Sequence, residues 1–262
     1  MAFLGKMLHA LGRVLQAPRL FFAVLLLQWA TAWLIGSTVR TAVSVNLGSF
    51  AVLEGQGLFY SILELLLGHP AIAAVGMQLA ASAALLSILF WTLMAGGVLE
   101  SLQRPLPLGE ALARGFRWLP AMVTVTLWHM IPRLILLGGL GALASQLDGP
   151  LKWAVGLLAL LVLFYCHCAL DLARAAIVTG RSRPHRWRSA FRGYAQAAKR
   201  PGVLLASSLF SLMQWLIVLF SVYIALSGFH TGGILWPVRI LSVVGLVCIL
   251  GRIAVALDAL RK

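Results

Sequence analysis

The sequence has few charged residues and very few acids. Charged side chains make up 11% of the 262 residues, and hydrophobic side chains make up 61%. Ordinary globular domains carry roughly 25% charged and 45–50% apolar residues. The chain therefore lacks the polar surface of a soluble enzyme, and it is too apolar for a disordered tail. The composition predicts an integral membrane protein.

Cysteine is also scarce. Cys166, Cys168 and Cys248 each lie within an apolar run, which excludes the disulfide framework of a small secreted domain. The tripeptide Cys166-His167-Cys168 resembles a metal motif. However, residues two apart on a helix point roughly 200° away from each other, so these three side chains cannot converge on one ion. We predict no metal and no cofactor.

The motifs of common enzyme classes are missing as well. The sequence contains no nucleophile elbow and no metalloprotease helix motif. The glycines at 96, 97, 138, 139 and 141 follow no strand, so they suit close helix contact better than phosphate binding. Because a paired set of catalytic groups is also absent from the apolar runs, we predict that the protein is not an enzyme.

What the sequence does contain is a series of long apolar runs. A bilayer takes about 20 helical residues to cross. Six runs approach or exceed that length: Leu20–Val39, Ala71–Val98, Leu119–Leu143, Trp153–Leu170, Val203–Leu226 and Ile234–Val255. They predict an all-α, polytopic membrane helix bundle, with residues 1–262 forming a single integral membrane domain.

The basic residues predict the orientation of this bundle. With both termini inside, the outer segments hold only Arg40 and Lys152. The inner segments hold Lys6, Arg13, Arg19, Arg104, Arg114, Arg117, Arg174, Arg181, Arg183, Arg186, Arg188, Arg192, Lys199, Arg200, Arg261 and Lys262. Basic residues are retained on the cytoplasmic side of membrane proteins, so we predict that both termini are cytoplasmic. The same rule accounts for the net charge of +14. A nucleic-acid partner is not needed to explain this charge, and we do not expect one.

The sequence also predicts a threefold internal repeat, with units at residues 1–104, 105–180 and 181–262. Each unit opens with a basic amphipathic stretch and meets a proline, at Pro18, Pro120 or Pro201. Each unit then crosses the membrane outward and back as a helical hairpin. We call the opening stretches elbow helices, and we expect them to lie in the membrane interface.

Each hairpin ends on an acid with a base one turn further along, and we call these acids the closing acids. The three endings pair Glu100 with Arg104, Asp171 with Arg174, and Asp258 with Arg261. One interpretation is an ion pair within each helix. The sharper hypothesis is that each acid pins an elbow helix, through Arg13, Arg114, Arg192 or a neighbouring arginine. A third interpretation is that the acids are simply solvated, and a fourth is that they handle a ligand or a proton.

One charged residue lies near the middle of a predicted span. Arg133 sits in the third span, with His129 one turn before it on the same face. Central arginines usually face the bundle interior or water, so this pair is a candidate ligand-binding site for an anion, a lipid headgroup or a substrate. The alternative is that Arg133 extends outward to the membrane surface or caps loose carbonyls.

The stretch from Arg181 to Arg200 is the most basic part of the chain. Its candidate contacts to anionic lipid are Arg181, Arg183, Arg186, Arg188, Arg192, Lys199 and Arg200. Membrane lipids with anionic headgroups on the cytoplasmic face are the natural partner of such a cluster. A protein partner is the alternative.

In layout, and in endings such as Leu170-Asp171-Leu172-Ala173-Arg174, the chain resembles uncharacterised bacterial six-helix integral membrane proteins. These are similar to the membrane domain attached to some glycerophosphodiester phosphodiesterases. The resemblance implies no chemistry, since no phosphodiesterase domain is present. The composition, rich in Arg, Ala and Leu, is compatible with a bacterial inner membrane, which is the location we predict. Two functions follow as hypotheses. The first is a non-enzymatic protein that scaffolds a partner or organises lipid. The alternative is a small transporter component with its site around Arg133 and His129.

Overall fold

The computed structural model describes residues 2–30, 70–181, 187–226 and 235–261, and in these ranges its regular secondary structure is all helix, without strands. The helices are α1 (Ala2–Leu15), α2 (Pro18–Ala30), α3 (Pro70–Gln103), α4 (Leu108–Ser145), α5 (Pro150–Val178), α6 (Trp187–Lys199), α7 (Pro201–Leu226) and α8 (Leu235–Arg261). The prediction of an all-α chain is confirmed for the described residues.

Several of these helices are long and apolar enough to cross a membrane. Five qualify individually, within α3, α4, α5, α7 and α8. A sixth span results only if α1 and α2, which meet at a bend of 82°, are taken together. The protein is thus a multi-pass membrane protein, and the sixth span stays a prediction. The end of the predicted first span, the outer segment 41–69, and Arg40, Arg183, Arg186 and Lys262 lie outside the described residues.

The second elbow helix differs from the prediction. We expected the second amphipathic stretch, Leu108–Trp118, to form an elbow helix of its own before Pro120, but α4 runs without interruption from Leu108 to Ser145. Pro120 and Pro132 both lie inside it. Proline removes one backbone hydrogen bond, yet membrane helices tolerate it because neighbouring groups compensate. Near Pro120, the hydroxyl of Thr124 donates to the Pro120 carbonyl at 2.9 Å.

Two compact units make up the chain. The first contains Met1–Leu20, Thr92–Gln214 and Val247–Lys262, and the second contains Phe21–Trp91 and Trp215–Leu246. In the first unit, α5 packs against both α4 and α6. In the second, the Trp29 indole donates to the Ser242 hydroxyl at 2.9 Å. This division is by compactness, and the repeat-like units 1–104, 105–180 and 181–262 stay a prediction.

The core of the first unit lies at one end of its long helices. Met122 of α4 and Leu172 and Ile177 of α5 are fully buried. At the opposite ends of the same helices, Leu134 is 69% exposed and Trp153 is 81% exposed. Large apolar side chains in such numbers are exposed only where a membrane or a partner covers them. The packed end also holds buried polar side chains, among them Asp171 and Arg174.

Candidate functional site

The three closing acids all find cationic or hydrogen-bonding partners on other segments of the first unit. Asp258 lies near the end of α8, and its carboxylate accepts from the Arg13 guanidinium at 2.5 Å. Its second oxygen is 2.7 Å from Nδ1 of His9. Arg13 and His9 are one turn apart on α1, so a single acid contacts two residues on one face of the first elbow helix.

Glu100 has the same relation to the second elbow stretch. Its carboxylate lies 3.5 Å from the Arg114 guanidinium and accepts a 2.6 Å hydrogen bond from the Trp118 indole. Arg114 and Trp118 are four residues apart on α4, so they too share one helix face. No sequence pattern marks Trp118 as the acid's hydrogen-bond donor.

Asp171 is the most buried of the closing acids and has a different kind of partner. Its side chain is 4% exposed, and it accepts a 2.6 Å hydrogen bond from Nε of Arg252 on α8. Arg252 also donates to the Ser211 hydroxyl of α7 at 3.3 Å. Asp171 therefore joins membrane helices to each other, whereas the hypothesis named Arg192 or a neighbouring arginine of the third elbow helix.

The bases that follow the closing acids along the chain have other contacts. Arg104 lies 3.9 Å from Glu110, and Arg174 donates to the Thr126 hydroxyl of α4 at 2.8 Å. The side chain of Arg261 lies outside the described residues. For Glu100 and Asp171 the shortest carboxylate contacts come from other segments of the chain, and the interpretation as ion pairs within one helix stays a prediction.

Glycines allow the helices around these acids to approach closely. A Cβ added at Gly97 of α3 would overlap the Ala111 carbonyl of α4, and one added at Gly115 would lie 3.0 Å from the Leu93 carbonyl. On α6, a Cβ at Gly193 would overlap the Ala169 carbonyl of α5. Small residues let helix backbones come into contact in this way. The expectation of close helix contact at 96 and 97 is met, while 138, 139 and 141 have open space.

The third elbow helix, α6, is fixed through an aromatic residue. The Tyr194 ring stacks on His129 with 4.6 Å between ring centroids, and the Tyr165 hydroxyl donates to the Tyr194 carbonyl at 2.8 Å. Burial raises the pKa of the Tyr194 phenol above its usual value. The phenol therefore stays neutral and packs as part of the helix contact.

The predicted intramembrane pair is only partly buried. His129 is buried against Tyr194, whereas Arg133 is half-buried on α4. Two cavities of the first unit are lined by other residues. One has about 310 Å³ and lies beside residues 16–20 and 105–107, and the other has about 960 Å³ and lies beside Lys6 and Arg200. His129 is in a packed contact with Tyr194.

The basic stretch contains both exposed and partly buried members. Arg181, Arg188, Arg192 and Lys199 are exposed, and Arg200 is half-buried with its guanidinium donating to the Ala259 carbonyl. Arg183 and Arg186 lie outside the described residues. The three cysteines are reduced and buried, and among the described residues no group of three metal-ligating side chains comes together.

Comparison with known proteins finds no matching family model, no matching curated protein and no matching solved structure.

Proposed function

We propose that this protein is a non-enzymatic multi-pass protein of the bacterial inner membrane that organises anionic lipid at its cytoplasmic face. The observation that carries the proposal is the pairing of Asp258 with Arg13 and of Glu100 with Arg114. These pairs tie basic elbow segments to the ends of apolar helices. Such ties give the basic side chains fixed positions at one end of the bundle, which a loose tail would not have.

The surroundings of these pairs support lipid as the partner. On α1, Leu4, Leu8 and Leu15 are exposed on the helix that carries Lys6 and Arg13. On α6, Phe191 is exposed beside the exposed Arg192. Exposed apolar side chains next to bases are typical of helices that lie in the membrane interface. The excess of Lys and Arg on the predicted inner segments supports the cytoplasmic face.

The proposal is tested by weighing the lipids that stay bound to the protein. The full chain is extracted gently from a bacterial membrane, and the retained lipids are identified by native mass spectrometry. We expect anionic phospholipids to be enriched in the bound fraction over their share of the membrane. Retained lipid of the same composition as the membrane would contradict the proposal. A stoichiometric protein partner without lipid enrichment would favour the scaffold function instead.

The second candidate is a transporter component whose site includes Arg133 and His129. The observation in its favour is that these membrane helices carry more basic than acidic side chains. Arg133, Arg174 and Arg252 are basic, and Asp171 is the acid that pairs with Arg252. Such residues often mark substrate pathways. A stoichiometric small anion that is retained by the wild type and lost in Arg133→Leu would support this function. Full retention of the anion in that variant would oppose it.

A further inference from the structure

We propose that a cleft in the first unit binds the phosphate group of an anionic glycerophospholipid. The cleft has a volume of about 960 Å³ and is lined by Lys6, His9, Arg13, Arg200, Gly202 and Asp258. It lies between α1, the start of α7 and the end of α8. The inference rests on the proposed lipid-organising function and gives that function a specific site.

The charge of the lining favours an anion. Lys6, Arg13 and Arg200 supply three cations, and Asp258 supplies the one carboxylate. That carboxylate already accepts from Arg13 and His9. Lys6 has no ion pair with any acid in the described part of the chain, and its ammonium has no carboxylate to neutralise it there. The lining therefore keeps a positive surplus.

Two of the three cations are held in place before any ligand arrives. Arg200 donates to the Ala259 carbonyl, and Arg13 is held by Asp258. Lys6 Nζ lies beside the first turn of α7, because a Cβ added at Gly202 would be only 3.2 Å away from it. Groups that are already positioned lose less conformational entropy on binding, so the same charges bind an anion more tightly.

Phosphate suits this lining better than a carboxylate or a sugar does. Arginine guanidinium groups and lysine ammonium groups are the usual partners of phosphate oxygens, through charge-assisted hydrogen bonds. The N-terminus of α7 contributes few backbone N–H donors to anion binding. Pro201 lacks an N–H, and the amides of Val203 and Leu204 donate to the Arg200 carbonyl. The side chains therefore supply the groups that bind the phosphate.

A lipid fits the cleft better than a soluble phosphate. The exposed side chains of Leu4 and Leu8 lie on α1, the helix that forms one wall of the cleft. Apolar side chains of this kind insert into the boundary between headgroups and acyl chains. A phosphate in the cleft then lies at the depth of the headgroups.

The test titrates lipids into the full-length protein in detergent and counts bound molecules by native mass spectrometry. The probes are phosphatidic acid, phosphatidylglycerol, phosphatidylcholine and inorganic phosphate. We expect both anionic lipids to bind more tightly than phosphatidylcholine. Lys6→Gln should weaken their binding about fivefold, the effect of removing one base at a membrane surface. Lys152→Gln, which removes an exposed lysine outside the cleft and on the predicted outer side, should change it less than about twofold.

A second pair of variants does not depend on removing Lys6. Gly202→Asp puts a carboxylate within reach of the Lys6 ammonium, and an acid in the first turn of a helix is compatible with folding. We expect it to weaken anionic lipid binding at least as much as Lys6→Gln does. Gly202→Asn has nearly the same size without the charge, and it should bind within about twofold of the wild type.

The outcomes separate the site from the function. If anionic lipids are preferred but Lys6→Gln and Gly202→Asp bind like the wild type, the cleft is not the lipid-binding site, while the proposed lipid-organising function is retained. If anionic lipids bind no better than phosphatidylcholine, both are overturned. If inorganic phosphate binds as tightly as the lipids do and depends on Lys6, the lipid source is overturned in favour of a soluble phosphate.

Discussion

Asp171 and Asp258 occupy equivalent places in the predicted repeat but are used differently. Asp258 reaches out to an elbow helix and shares its carboxylate between Arg13 and His9, with 17% of its side chain exposed. Asp171 is 4% exposed and pairs with an arginine of another membrane helix. The first arrangement ties a surface helix to the bundle, and the second ties the bundle together. Burial decides how much each pair contributes to stability.

Breaking the buried pair should have the largest effect on stability. Asp171→Asn leaves the Arg252 charge without its carboxylate in a buried position, which costs about 3–5 kcal/mol. We expect a loss of that size in the unfolding free energy, measured by denaturant titration in mixed micelles. Replacing both partners, as in Asp171→Leu with Arg252→Leu, should recover much of the loss because no buried charge remains. A single variant as stable as the wild type would show that Asp171 is not a structural partner.

The close contact beside Glu100 should rank second. Gly97→Ala forces a methyl group into the Ala111 carbonyl, so α3 and α4 must separate. We expect a loss of about 1–3 kcal/mol, the usual cost of overpacking. Gly139→Ala is the matched control, because its Cβ meets open space and alanine favours the helix. The same denaturant titration compares the two variants, and equal stability would contradict the close approach.

The elbow contact of Glu100 should have the smallest effect. The distance from Glu100 to Arg114 is longer than the distances from Asp171 and Asp258 to their arginines. The Arg114 side chain is also 29% exposed. Glu100→Gln keeps an acceptor for the Trp118 indole and removes only the charge, so we expect a loss of about 0.2–1 kcal/mol. Salt should reduce the difference between the variant and the wild type, since exposed pairs are screened. A loss as large as that of Asp171→Asn would remove the distinction between the two arrangements.

Much of the fold could be predicted from the sequence, but only part of the pairing could. Apolar length identifies membrane helices directly, because the bilayer fixes how many residues a span requires. The pinning hypothesis named Arg13 and Arg114, which the structure brings to Asp258 and Glu100. The partner of Asp171 was missed, because Arg252 is 81 positions away in the chain and only helix packing brings the two together.

The helix boundaries show where local rules were insufficient. Pro18 and Pro201 begin helices as expected, but Pro120 lies inside α4 and does not end it. A proline limits the backbone of its neighbours without specifying whether a helix stops. Continuation depends on packing against α3 and α5, and hydropathy patterns contain no information on that. The cleft around Lys6 was missed for the same reason, because its lining comes from three separate segments.

The contact between Asp258 and Arg13 decides whether a closing acid holds a basic elbow helix on the bundle. A double-mutant cycle on Arg13 and Asp258 tests it most directly, using Arg13→Gln, Asp258→Asn and the combined variant in the same denaturant titration. We expect a coupling free energy of about 1–2 kcal/mol, somewhat more than an exposed pair contributes. Strictly additive effects of the two substitutions would show that Asp258 does not hold α1 through Arg13.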